Sequence, residues 1–359
     1  MTGRGRNPLP QPRDDLVALE GYHSPQLDVD VRLNTNESPY PPPREFVDSW
    51  LGALAEVPLH RYPDRGARRL REGLATHHGQ RIDRVFCANG SNEVLQTLLL
   101  TYGGAGRRAL VFEPTYALHS HIARITGTEV VEGQRDDTFL IDPQDAERLI
   151  AAGRPAITFL CSPNNPTGRA EPSDTVERVA RVAPGLVVVD EAYGQFSSWT
   201  ALGLRGPAQP GLVVTRTFSK TWALAGARLG YLVADPGVVE ACEAVALPYH
   251  LSAQTQLAGL LALRHVREME TRVARITEER GRVAAALNEL PVDSWPSDAN
   301  FILFRPRERD ADGVWRSLLA HSVLIRNCAS WEGLKGCLRV TIGTPEENGR
   351  FLQGLKESL

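Results

Sequence analysis

From about Pro43 to Pro248, short apolar runs rich in Val, Ile, Leu and Phe alternate with segments of helical periodicity, and few folds accept that rhythm. Residues 84–87, 109–112, 129–132, 156–161, 186–190, 212–217 and 229–234 read as strands apolar on both faces, as a parallel sheet buried between helices requires. Residues 94–102 and 176–182 carry apolar side chains at helical spacing, with Ser91 a candidate N-cap and Asp64 another. After Pro248 the pattern changes. A helical stretch over 252–290 precedes short strands at 300–304, 323–326 and 337–341, with a helix between the first two and another at the end. The expected architecture is α/β: a large unit over 43–250 on a mostly parallel sheet covered by helices, and a smaller α+β unit from 16–42 and 251–359. Residues 1–15, rich in Arg, Pro and Gly with no apolar stretch, read as a disordered arm rather than a signal peptide.

Charge and cysteine usage exclude several classes of function. Lysine plus arginine total 40 against 43 acids, a net charge of −3, which argues against a general nucleic-acid binder. No apolar run approaches the ~20 residues of a membrane span, so a cytoplasmic protein without a membrane partner is expected. The five cysteines, Cys87, Cys161, Cys242, Cys328 and Cys337, are scattered and never spaced as C-x-x-C. Neither a disulfide framework nor a metal site is expected.

The chemistry concentrates at strand ends. Thr217, Ser219 and Lys220 follow one apolar strand, with Arg228 eight residues beyond the lysine. An amine among hydroxyls, with a guanidinium in reach, suits a phosphorylated aldehyde held covalently, which points to pyridoxal 5′-phosphate. The ring nitrogen of that cofactor needs a buried carboxylate to keep its proton, and Asp190 ends the strand Leu186-Val187-Val188-Val189. Tyr193, three positions on, can hydrogen-bond the cofactor's 3-oxygen. The phosphate needs helix N-termini and a fixed cation; Gly90-Ser91-Asn92, between a strand and a helix, joins Thr217, Ser219 and Arg228 as candidates.

The strings S-P-N-N-P-T-G at 162–168, D-E-A-Y at 190–193, S-K at 219–220 with A-L-A-G-x-R through Arg228, and C-L-R-V-T-I-G at 337–343 occur in this order. Together they resemble the fold-type I aminotransferases, and most of all the histidinol-phosphate aminotransferases, from about Leu16 to the C-terminus. The resemblance implies that Lys220 bonds the cofactor and shuttles the proton, that Asp190 pairs with its ring nitrogen, and that Tyr193 and Asn165 flank the 3-oxygen. It implies stacking by Tyr116, phosphate contacts from Asn92, Ser219 and Arg228, and a Tyr62 lent across the interface of a homodimer with shared sites. Arg339 resembles the arginine that forks onto a substrate carboxylate. Tyr22 and Arg326 match positions near the substrate's phosphate, and Asn36 and Glu37 belong to the N-terminal segment of the pocket.

The implied reaction is ping-pong transamination between an amino compound, best matched by histidinol phosphate, and the 2-oxoglutarate/glutamate pair. Three positions depart from the usual pattern: Gln195, Asn327 and Leu118. They leave open a paralogue acting on an aromatic or non-proteinogenic amino acid. A lyase of the threonine-phosphate decarboxylase kind also stays open, because cofactor motifs do not report which Cα bond is held perpendicular to the ring.

Overall fold

The computed structural model describes residues 10–359 apart from 18, 20, 22–24, 205, 207 and 208. Twelve strands form two sheets among the described residues. In chain order they are β1 (Val31–Leu33), β2 (Val85–Ala88), β3 (Arg108–Glu113), β4 (Glu129–Gln134), β5 (Ile157–Cys161), β6 (Leu186–Asp190), β7 (Leu212–Thr217), β8 (Gly230–Val233), β9 (Val292–Ser294), β10 (Phe301–Pro306), β11 (Val323–Asn327) and β12 (Leu338–Thr341).

The seven-stranded sheet runs β2-β8-β7-β6-β5-β3-β4. From β4 across to β7 every pairing is parallel, and β8 is antiparallel to both of its neighbours. Two antiparallel steps restore direction, so β2 points the same way as β7. The carboxyl ends of β2, β3, β5, β6 and β7 therefore lie on one edge, and β8 starts there. Strands β5 and β6 are buried at every residue because helices cover both faces. Val94, Leu98, Phe159 and Val188 pack on one side, and Leu110, Leu160, Val176 and Val189 on the other.

The five-stranded sheet runs β1-β11-β12-β10-β9. It draws β1 from the N-terminal segment, parallel to β11, into a sheet otherwise formed after residue 290. Its core gathers Phe301, Phe304, Ile325, Val340 and Phe351 against the helices Val266–Asn288 and Pro345–Ser358. The last helix carries a full capping box between Thr344 and Glu347.

The structure corrects several local expectations. The stretch 252–290 is two helices, Ala253–Ala262 and Val266–Asn288, broken at 263–265 without proline or glycine. The break is tertiary in origin, since the first half packs on Arg44–Ala55 and Arg68–His77 while the second reaches the smaller sheet. Ser91 is the first residue of its helix, and Gly90 holds the cap position. Asp64 accepts from the Gly66 and Arg68 amides at 3.0 and 2.7 Å, although the residue flanking that helix is Ala67. Strands β1 and β9, three residues each, were too short to announce themselves. Of the expected arm, residues 1–9 lie outside the described residues. Arg13 donates to the Ile125 carbonyl at 3.1 Å, and Asp14–Val17 form a short helix.

Candidate active site

A cavity of about 370 Å³ opens at the shared strand edge, closed on its far side by the segment after β1 and by Arg339 of β12. Lys220 projects into it from the turn after β7. Its Nζ donates to the Thr35 carbonyl at 3.0 Å and lies 5.7 Å from the centre of the Tyr193 ring. Burial lowers the Lys220 amine from 10.5 to about 8; Arg339 and Arg228 push it the same way, and Glu37 opposes them. At pH 7 about a tenth of this amine is therefore an uncharged nucleophile, far more than of a lysine at 10.5.

Asp190, the last residue of β6, is 1% exposed. Its Oδ1 accepts from the Ala192 amide at 3.2 Å and the Thr215 hydroxyl at 3.1 Å, and its Oδ2 faces His119 Nε2 at 3.0 Å. Two donors and a histidine ring nitrogen fix this carboxylate in place. His119 is completely buried, stacked 4.7 Å from Phe159, and its Nδ1 has no partner among the described residues. A carboxylate so held can keep a proton on a basic ring nitrogen placed beside it.

Opposite Asp190 lies an anion cradle. Gly90 turns the chain at φ +82°, and a Cβ there would stand 2.6 Å from Arg228 Nη2. Only glycine allows both that backbone and that close guanidinium. Gly230, which starts β8, similarly leaves no room for a side chain beside the Ser91 amide, 2.2 Å from where its Cβ would be. The helix Ser91–Tyr102 thus presents its N-terminal amides toward Arg228 and Ser219, themselves 3.3 Å apart. Thr217 orders that turn by donating to Ser219 Oγ and accepting from its amide. Amides, hydroxyls and one fixed cation converge as a phosphate dianion needs.

Ser91, Asn92, Tyr116, Asn165, Asp190, Tyr193, Thr217, Ser219, Lys220, Arg228, Arg339 and Asn36 all line this cavity, and Gly90 backs it. The Tyr193 hydroxyl accepts from Asn36 Nδ2 at 2.9 Å, and burial raises its pKa, so its own proton stays available to donate. Tyr116 donates to Asn92 Oδ1 at 3.0 Å. Arg339 is held by Asn165 Oδ1 and by the Asn34 carbonyl at 2.8 Å, with its Nε buried and unpartnered. Two other candidates are not among the cavity's lining residues. Arg326 lies opposite Arg339 across β11 and β12, 5.7 Å over the Trp331 ring, and Tyr62 is 79% exposed and stacked on Tyr249 at 4.5 Å. Tyr22 lies outside the described residues.

None of the three departures touches the cavity. Leu118 packs in the core of the larger sheet, Asn327 donates to Asp312 at 2.5 Å, and Gln195 lines a separate hollow with His77 and Arg216. Sequence reasoning missed Thr35, which acts through a carbonyl that any residue carries. It also missed His119 and Thr215. His119 follows Tyr116 by three residues and could have been found as a polar group on the apolar face of the helix Leu118–Ile125.

The sequence pattern of the family Aminotransferase class I and II matches residues 29–355. The chain belongs to the class I and II aminotransferases. Among its relatives, a histidinol-phosphate aminotransferase of Frankia casuarinae is 47% identical over 97% of this chain and 90% of its own length. Another, of Streptomyces avermitilis, is 47% identical over 96% and 95%. Among solved structures, the histidinol-phosphate aminotransferase of Sinorhizobium meliloti in complex with pyridoxal-5′-phosphate superposes with a TM-score of 0.85 at 22% identity, covering 92% of this chain and 91% of that one. The L-threonine-O-3-phosphate decarboxylase of Porphyromonas gingivalis reaches 0.79, also at 22% identity, covering 91% and 99%. The aminotransferase thus shares its fold with enzymes whose names differ in the bond they break, and fold alone does not choose between them.

Proposed function

We propose that this aminotransferase holds pyridoxal 5′-phosphate and moves the amino group of histidinol phosphate to 2-oxoglutarate in two half-reactions. The observation that carries the cofactor assignment is the convergence, within one cavity, of a buried amine lowered to about 8, a buried carboxylate held by Ala192, Thr215 and His119, and an anion cradle. The substrate rests on relatives 44–48% identical over 95% or more of the chain, all named for it. It rests also on the three departures lying away from the cavity.

When bound, the cofactor supplies an electron sink that lets an amino compound lose its Cα proton. Lys220 Nζ would take that proton and return one, since among the described residues it is the only amine lining the cavity. Asp190 maintains the sink by holding a proton on the ring nitrogen, and His119 and Thr215 hold Asp190. Tyr193 would donate to the ring oxygen, Tyr116 would flank the ring, and Asn92, Ser219 and Arg228 would hold the phosphate. Arg339 binds the carboxylate of glutamate in one half-reaction and the phosphate of histidinol phosphate in the other, because its planar fork suits either anion.

The division into a large unit over 43–250 and a smaller one from 16–42 and 251–359, a cytoplasmic setting and a homodimer belong to the same proposal. The five cysteines are all free and buried, as a reducing compartment allows, and no helix among the described residues is long and apolar enough to cross a membrane. A groove of about 660 Å³ beside Tyr62, with Leu59, Leu247 and Tyr249 exposed nearby, is the face assigned to the second copy. To test the substrate, the cofactor-loaded protein is mixed with histidinol phosphate, phenylalanine, glutamate and phosphothreonine, each alone, and the cofactor spectrum is followed. Conversion to the amine form by histidinol phosphate and glutamate is expected. Inertness toward histidinol phosphate would reject the substrate, and release of carbon dioxide from phosphothreonine would favour the lyase.

A further inference from the structure

Glu37 has no task in the chemistry above, yet its carboxylate faces the cavity close enough to Lys220 to oppose the lowering of its pKa. Its backbone is pinned. Asn36 turns at φ +57° with its amide on Thr341 Oγ1 at 3.0 Å, and Asn300 Nδ2 reaches the carbonyls of Asn36 and Glu37 at 3.1 and 3.5 Å. The side chain, by contrast, is exposed and engaged only once, through Oε2, by the Thr35 hydroxyl at 2.8 Å. Among the described residues nothing donates to Oε1.

The cavity's other side-chain amide and carboxylate oxygens each already have a protein partner. Asn36 Oδ1 accepts from Thr341, Asn92 Oδ1 from Tyr116, Asn165 Oδ1 from Arg339, and Asp190 accepts from Ala192 and Thr215 and faces His119. Glu37 is thus the charged acceptor left with capacity, on the N-terminal wall of the cavity, with the cofactor cradle and Arg339 already assigned to other groups. A substrate group meeting that wall gains most if it is a polarised N–H donor.

We infer that Glu37 is a specificity-determining residue that accepts a ring N–H from the side chain of the amino donor, so that the site selects an N–H-bearing heteroaromatic ring over a hydrocarbon ring of similar size. The inference rests on the proposed substrate, whose imidazole is such a ring. A site built to hydrogen-bond a substrate group discriminates strongly against an analogue that lacks it. Glu37 also raises the pKa of Lys220, an effect common to every amino donor, so the informative quantity is a ratio between two donors and not a rate.

The test compares kcat/KM for histidinol phosphate with that for phenylalaninol phosphate, which keeps the amine and phosphate but carries phenyl in place of imidazole. In Glu37→Ala the ratio should fall by roughly 10- to 100-fold, mostly through the KM of the imidazole donor. Glu37→Gln, which keeps an uncharged acceptor, should recover part of the loss. Competition by amine-free 3-(imidazol-4-yl)propyl phosphate and 3-phenylpropyl phosphate reads the same ratio as binding, without turnover. A ratio within twofold of the unmodified protein's in Glu37→Ala, or a parallel loss for both donors, would overturn the assignment. If the unmodified protein accepts histidinol phosphate and the ratio does not move, Glu37 alone is misassigned; if it does not accept histidinol phosphate, the proposed substrate falls as well.

Discussion

A lysine side chain in water is almost entirely charged at neutral pH; Lys220 keeps a larger neutral fraction, because burial and two guanidiniums disfavour its cation against the opposing charge of Glu37. The direction fixes a pH dependence. Lowering the pKa of a base enlarges its neutral fraction, and only the neutral amine attacks an aldehyde. Cofactor uptake by the apoprotein should therefore rise about tenfold per pH unit below about 8 and level off above it. A stopped-flow series from pH 6 to pH 10 at constant ionic strength measures this. A rate still climbing toward 10.5 would show an unperturbed lysine. Legibility at this scale followed chemistry. Lys220, Asp190 and Arg228 could be proposed from sequence because each falls at or near a strand end beside residues of matching chemistry, whereas Thr35 contributes only a carbonyl, which any residue carries, and the one sign of His119 is a polar ring on an apolar helix face.

Whole elements set the loops that carry these residues. The loop 162–168, with Asn165 against Arg339, is anchored from beneath by the buried pair of Arg135 and Glu171, both under 2% exposed at the side chain. Arg135 also donates to the carbonyls of Phe112 and Phe139 at 3.1 Å, and Glu171 accepts from the Ile141 amide at 3.2 Å while its own amide donates to Ser162 Oγ. Glu171→Gln leaves a buried guanidinium uncompensated, and urea unfolding should show a loss of about 3–5 kcal/mol. A change under about 1 kcal/mol would mean that the loop is held by its turns alone. The strands of the larger sheet were legible to within two residues, since apolar runs bounded by turns leave few alternatives. The break at 263–265 was not, because it arises from two helices packing on different neighbours and not from any local breaker. The three-residue β1 was hidden for a related reason: its partner β11 lies nearly 300 residues away, and only the sheet makes it a strand.

At the scale of the whole molecule, Tyr62 stands 79% exposed on a groove away from the cavity, as a residue lent to a second copy would. The proposed sharing can be tested with hybrids. Tyr62→Ala and Lys220→Ala proteins, each weak or inactive alone, should form mixed dimers in which one of two sites is intact, restoring about half the activity per dimer. Mixtures no more active than the sum of their parents would place Tyr62 outside the site. The central claim is narrower, that Lys220 is the amine through which this aminotransferase holds its cofactor, and it has a direct test. The protein loaded with pyridoxal 5′-phosphate is reduced with borohydride, digested and mapped by mass spectrometry. The account predicts a single stoichiometric phosphopyridoxyl adduct on Lys220, absent from Lys220→Ala; an adduct on another lysine, or none at saturating cofactor, would contradict it.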